Sequence, residues 1–122
     1  MDFIILIKII ISLSILNVWI MRYNKKTKYR GGNANSLKEE FEVYGLPPWL
    51  MYVVGFLKIS LAFMILAAIW ITQITLYAAV SMSILMVSAI IMHIKIKDPL
   101  KKSLPALSIL LLLLALCMES MN

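Results

Sequence analysis

Three kinds of residue in this sequence could do chemistry from within an apolar chain. They are one centrally placed lysine, one histidine with an aspartate five residues on, and a few polar residues inside long apolar runs. Lys58 falls mid-run, roughly 14 Å from Trp49 at the rise of an α-helix. In a bilayer an ammonium at that depth costs at least about 2.5–3.5 kcal/mol unless it is paired or hydrated, and snorkelling relieves only part of this. Lys58 therefore reads in one of two ways. It faces a cavity and holds an anionic or carbonyl-bearing ligand or titrates, or it is a structural lysine bonded to helix carbonyls. His93 reads either as an interfacial or hydrogen-bonded histidine or as a proton donor-acceptor paired with Asp98. Asp98 also has a structural reading as the N-cap of a helix with Pro99 in its first turn. Asn17, Ser12, Ser14, Ser81 and Ser88 could hydrogen-bond between helices, and Lys8 is close enough to the end of its run to reach the surface.

These residues are embedded in a chain of 122 residues that is 62% hydrophobic, with a mean hydropathy of +0.93. A soluble domain this short has too much surface to hide so much apolar area. The apolar residues also form continuous runs, not the spaced stripe of a soluble amphipathic helix. Lipid is the solvent that fits them, and the length allows one membrane domain over 1–122. The net charge of +6 sits in short segments between apolar runs, where it orients a membrane protein and does not point to nucleic acid. Cys117 is the only cysteine, so there is no internal disulfide or dithiol, and it reads as an apolar filler. No phosphate-binding loop, dinucleotide fingerprint, zinc-protease motif or second histidine for a metal or haem is present.

The runs set the elements. Helix 1 is expected over about 3–21, with Trp19 and Tyr23 in the interfacial belt. It lacks the basic start and small-residue cleavage site of a signal peptide. Gly31-Gly32 is turn material. Ser36 and Glu39 form a capping box for a short helix over about 37–44 that ends on left-handed Gly45. Phe41 and Tyr44 share a face of it, so that it can lie along the membrane surface. Pro47-Pro48 opens helix 2 at about 49–71. From Lys58 to Lys95 no charge intervenes, and those 36 residues would span roughly 54 Å as one helix, too long for a single crossing. Thr72-Gln73 breaks it, which places helix 3 at about 75–94, with Trp70 and Tyr77 bracketing an outer turn. Helix 4 follows at about 99–118, kinked by Pro105 or starting at Ser103 instead. Gly55 and Ala62 mark a close helix contact. The fold class is thus an all-α bundle of four transmembrane helices with a short interfacial helix in the first loop.

Arg22, Lys25, Lys26, Lys28, Arg30 and Lys38 lie in the first loop, and Lys95, Lys97, Lys101 and Lys102 in the third. The outer turn and the termini carry no basic residue. The positive-inside rule then puts both loops in the cytoplasm and both termini outside.

The stretch Glu40-Phe-Glu-Val-Tyr-Gly-Leu-Pro-Pro-Trp49, then Val54-Gly55-Phe-Leu-Lys58, His93, Asp98-Pro99 and Leu104-Pro105-Ala106-Leu107 together resemble the DoxX-like family of small membrane proteins. The likeness covers roughly 40–114. It implies a four-helix membrane bundle in the inner membrane of a prokaryote. Tyr44, Gly45, Pro47, Lys58, His93, Asp98 and Pro99 are the residues it carries over. Name-giving relatives are tied to thiosulfate:quinone oxidation and others to redox or stress-protective membrane assemblies. This chain departs in two ways: it has Lys97 where glycine is more often expected before the Asp-Pro pair, and its single cysteine offers no thiol pair for sulfur chemistry.

The expectation is an accessory membrane protein, not an enzyme on its own. It would bind a small lipophilic molecule (quinone or lipid) or a larger membrane complex, with Lys58, His93, Asp98, Tyr44 and Asn17 as ligand-binding candidates. No cofactor is required, and quinone is the one the resemblance allows. The alternative is a subunit of a membrane oxidoreductase acting with quinone. A small multidrug-type transporter needs an embedded carboxylate in helix 1, where this chain has Lys8 and Asn17.

Overall fold

The four long apolar runs are helices in the computed structural model, which describes residues 2–22 and 29–121. Helix α1 covers Asp2–Leu16 and continues as a π-helical stretch over Asn17–Met21. Helix α2 is Leu37–Val43, α3 Pro48–Ala67, α4 Thr75–Lys95 and α5 Leu104–Ser120. Four segments are long and apolar enough to cross a membrane: Phe3–Met21, Pro48–Ala67, Thr72–Lys95 and Leu100–Ser120. At most 33% of any of them is buried within the protein, so most of their apolar surface faces outward. Only lipid accepts that much exposed hydrocarbon at no cost. Contacts run α1 to α3, α3 to α4, α4 to α5 and α5 to α1, closing a four-helix bundle. The expected places of Tyr23, Lys25, Lys26 and Lys28 lie outside the described residues.

Local sequence explains each boundary. Pro48 occupies the first turn of α3, where its missing N–H is not needed. The helix ends at Ala67, a turn earlier than expected. Ile69 and Trp70 bond back three residues, to Leu66 and Ala67, and tighten the chain before the break. Thr72–Ile74 forms a 3-10 turn at the expected polar break, and α4 begins at Thr75. Both expected starts of the last span have a counterpart: Leu100–Ser103 is 3-10 and α5 proper starts at Leu104, with Pro105 in its first turn.

Two residues expected at the membrane interface lie inside. Trp19 is buried in the core with Ile7, Ile11, Ile15, Met51, Ala62 and Met82. The π-helical stretch turns its side chain inward, and Gly55 leaves the space its ring fills, since a Cβ there would meet the ring at 2.8 Å. Lys8 is also buried. Its Nζ donates to the Ala68 carbonyl at 2.9 Å, satisfying an oxygen that the end of α3 leaves free. Trp70 and Tyr77, by contrast, are exposed on either side of the turn between α3 and α4.

Helix α2 does not turn its apolar face to lipid. Leu37, Glu40, Phe41 and Tyr44, one face at three- and four-residue spacing, are all buried, with Leu37 and Phe41 in the main core. Ser36 caps it as expected, accepting from Glu39 N, while Glu39 reaches back to Asn35 N instead of Ser36 N. At its other end Gly45 takes φ +79°. Gly45 N bonds Glu42 O and Leu46 N bonds Phe41 O, the paired bonds of a Schellman turn. The result is a plug across one end of the bundle.

Candidate functional site

A second Schellman turn builds the site. Helix α4 ends with Lys97 N bonded to Ile94 O and Asp98 N to His93 O. Lys97 holds the left-handed position at φ 60°, the conformation that explains why glycine is expected there. This turn folds Asp98 back over the helix, so that its Oδ2 lies 2.7 Å from His93 Nδ1. Asp98 therefore does not cap the last span: Pro99 and Ser103 precede its helical pieces, and neither makes a side-chain cap. The Asp98 carboxylate also accepts from Gly32 N at 3.1 Å and lies 3.8 Å from Lys102 Nζ, which itself bonds the Gly32 carbonyl.

The other imidazole nitrogen faces α2. His93 Nε2 is 3.5 Å from Tyr44 Oη, and the two rings meet edge to face at 5.8 Å. Tyr44 Oη in turn donates to Glu40 Oε2 at 3.0 Å. Glu40 also accepts from Gly31 N at 2.5 Å and pairs with Arg30 at 3.6 Å. Burial, and next the charge and hydrogen bond of Glu40, push the Tyr44 phenol far above its ordinary range. Tyr44 therefore stays a neutral hydroxyl. Gly31 sits against it: a Cβ there would meet the Tyr44 ring at 2.6 Å. Lys95 Nζ donates to the Tyr44 carbonyl at 3.0 Å and ties α4 to the end of α2.

An aromatic row leads from this cluster toward Lys58. Tyr44 contacts Phe41 at 6.2 Å and Phe41 contacts Trp19 at 6.1 Å. The Lys58 Nζ lies 5.3 Å from the Trp19 ring centroid. Among the described residues the Trp19 ring is the one close partner of the buried ammonium. Trp19 also lines a shallow groove of about 160 Å³ with Met51, Tyr52, Gly55, Phe56 and Ile59. A wider apolar groove of about 620 Å³ lies apart, between α4 and α5. The Ser83 hydroxyl in it is turned back on its own helix, at the Ala79 carbonyl.

Of the candidate residues, Tyr44, His93 and Asp98 come together directly, and Lys58 connects to them through the aromatic row. Asn17 does not join: its residue is exposed, and its carbonyl closes the π-helical stretch by accepting from Arg22 N. Ser81 and Ser88 are exposed as well, and Ser88 bonds Ile84 O in its own helix. Ser12 is fully buried but its hydroxyl has no partner among the described residues. Sequence reasoning missed Glu40, Arg30 and Trp19. The signal for Glu40 was present, since it shares the Leu37, Phe41 and Tyr44 face. Among the described residues no group of three acidic, histidine or cysteine residues could hold a metal.

Fold and site define a small four-helix membrane protein with a buried polar cluster under a plug helix. The chain belongs to the DoxX-like family, whose family model matches residues 30–117. That match takes in every residue of the cluster. No curated protein and no solved structure matches the chain.

Proposed function

We propose that this DoxX-like protein is an accessory membrane component that holds the polar head of a lipophilic carbonyl compound, a quinone or a lipid, at Lys58. The observation that carries this reading is Lys58 itself, buried mid-helix with the face of Trp19 as its described partner. A cation–π contact offsets about 0.5–2 kcal/mol. Placing the charge within a membrane costs about 2.5–3.5 kcal/mol. A ligand carbonyl or anion accepting from Nζ supplies the difference. The groove beside Trp19 gives an apolar tail a path from the bilayer. We place the polar cluster at the cytoplasmic end and both termini outside, in a prokaryotic inner membrane; the ten basic loop residues on one side support that orientation.

Purification in nanodiscs followed by mass spectrometry tests the reading. Wild type should carry a quinone or a lipid in fixed proportion, and Lys58→Met should lose it. Equal retention by both proteins would remove Lys58 from the site.

A second reading, a subunit of a membrane oxidoreductase that acts with quinone, is favoured by the hydrogen-bonded series Asp98–His93–Tyr44–Glu40, which suits proton exchange. It predicts a stoichiometric protein partner in mild detergent. Purification only as a lone chain would count against it.

A further inference from the structure

We propose that Asp98, His93, Tyr44 and Glu40 form a proton-carrying row in which Glu40 is the inner terminus, so that the protonation of His93 is coupled to that of Glu40. The row stands on its own geometry; its use at Lys58 rests on the ligand-binding reading above.

The argument starts from donors and acceptors. Tyr44 has one proton and two neighbours that want it, Glu40 Oε2 at 3.0 Å and His93 Nε2 at 3.5 Å. Asp98 accepts from Gly32 N and lies near Lys102, so it is a carboxylate that takes the Nδ1–H of His93. When His93 is an imidazolium, its Nε2–H points at Tyr44 Oη and the phenol O–H is directed at Glu40. When His93 is neutral with its proton on Nδ1, Nε2 becomes an acceptor and the phenol can turn to it. The two charge states of His93 thus select two directions of one O–H bond.

Transfer follows from the same contacts. The His93 Nε2–H bond breaks as a new bond forms to Tyr44 Oη, and the original Tyr44 O–H bond breaks as Glu40 Oε2 takes that proton. The products are neutral His93, an intact phenol and a neutral Glu40 acid, with no electron moved. Because the phenol is held neutral by burial and by Glu40, Tyr44 passes a proton in concert and does not form a phenolate. The charged groups around the row come from every neighbouring element. Arg30 and the Gly31 and Gly32 amides come from the loop, Lys95 from α4, Lys102 from the turn before α5, and Lys58 from α3.

His93 is the only histidine, so a ¹⁵N-labelled imidazole reports this one site. The full chain in nanodiscs, without added ligand, is titrated by NMR as wild type, Tyr44→Phe, Glu40→Gln and the double variant. We expect each single variant to lower the His93 midpoint by about half a pH unit, because Tyr44→Phe removes the acceptor that faces Nε2–H and Glu40→Gln removes the carboxylate that holds that hydroxyl in place. The double variant should move it no further than the larger single. Identical midpoints in all four would overturn the row, as would additive shifts, which mean two independent local effects. Should Tyr44→Phe fail to fold, Glu40→Gln decides alone. Adding a short-chain benzoquinone tests the other link. His93 resonances that respond in wild type and not in Lys58→Met support the connection. If wild type does not respond while the ligand-free coupling is present, the Lys58 reading fails and the row remains.

Discussion

His93 Nδ1 and Asp98 Oδ2 meet at 2.7 Å because α4 ends in a left-handed turn at Lys97. Five residues apart in sequence, the two would point away from each other on a continuing helix. The turn is therefore part of the site, and its backbone cost falls on a lysine.

Lys97→Gly should relieve that cost. A non-glycine residue in the left-handed region loses about 1 kcal/mol, and Lys97 is exposed, with no hydrogen bond from its side chain among the described residues. Unfolding of the variant in the same detergent should require about 1 kcal/mol more than wild type. A less stable variant would show that the Lys97 side chain matters more than its backbone.

Asp98→Asn keeps the shape of the side chain but removes its charge. Hydrogen bonds to charged groups are worth about 1 kcal/mol more than neutral ones, and Asp98 faces both His93 and Lys102. Stability should fall by about 1–2 kcal/mol, measured by thermal unfolding near neutral pH.

Tyr44 predicts an alkaline limb. Its folded pKa is raised above the ordinary tyrosine value of about 10, so its contribution is complete below that value. Above it the unfolded chain releases a proton that the folded protein keeps, and stability falls as pH rises. Tyr44→Phe should flatten the slope of stability against pH above about 10. An unchanged slope would assign that limb to other groups.

Gly55→Ala should disturb Trp19, since the new Cβ would lie 2.8 Å from its ring. Overpacking of this kind costs about 1–3 kcal/mol. In a Trp49→Phe, Trp70→Phe background, where Trp19 is the remaining tryptophan, its emission should change on Gly55→Ala. Unaltered emission would mean that the ring has room to spare.

The sequence alone determined the spans. Apolar run length against bilayer thickness gives four crossings, and the chemistry of Ser36, Gly45, Pro48 and Thr72-Gln73 marks where helices start and stop. These are local properties, legible from neighbours in the chain. The interfacial assignments of Trp19 and of the α2 face were not legible in the same way. An amphipathic face reads identically whether lipid or another helix covers it, and an aromatic near a span end fits either a belt or a core.

Only the tertiary structure decided what the polar residues meet. Glu40, Tyr44, His93 and Asp98 come from α2, α4 and the turn after α4, and Gly32 N reaches Asp98 across 66 residues of chain. Sequence spacing carries no information about contacts between elements that far apart. It fixed that a lysine would lie inside the membrane, because hydropathy is additive along a helix. Which face that lysine meets, and that its neighbour is Trp19, depended on how α1 and α3 pack around Gly55.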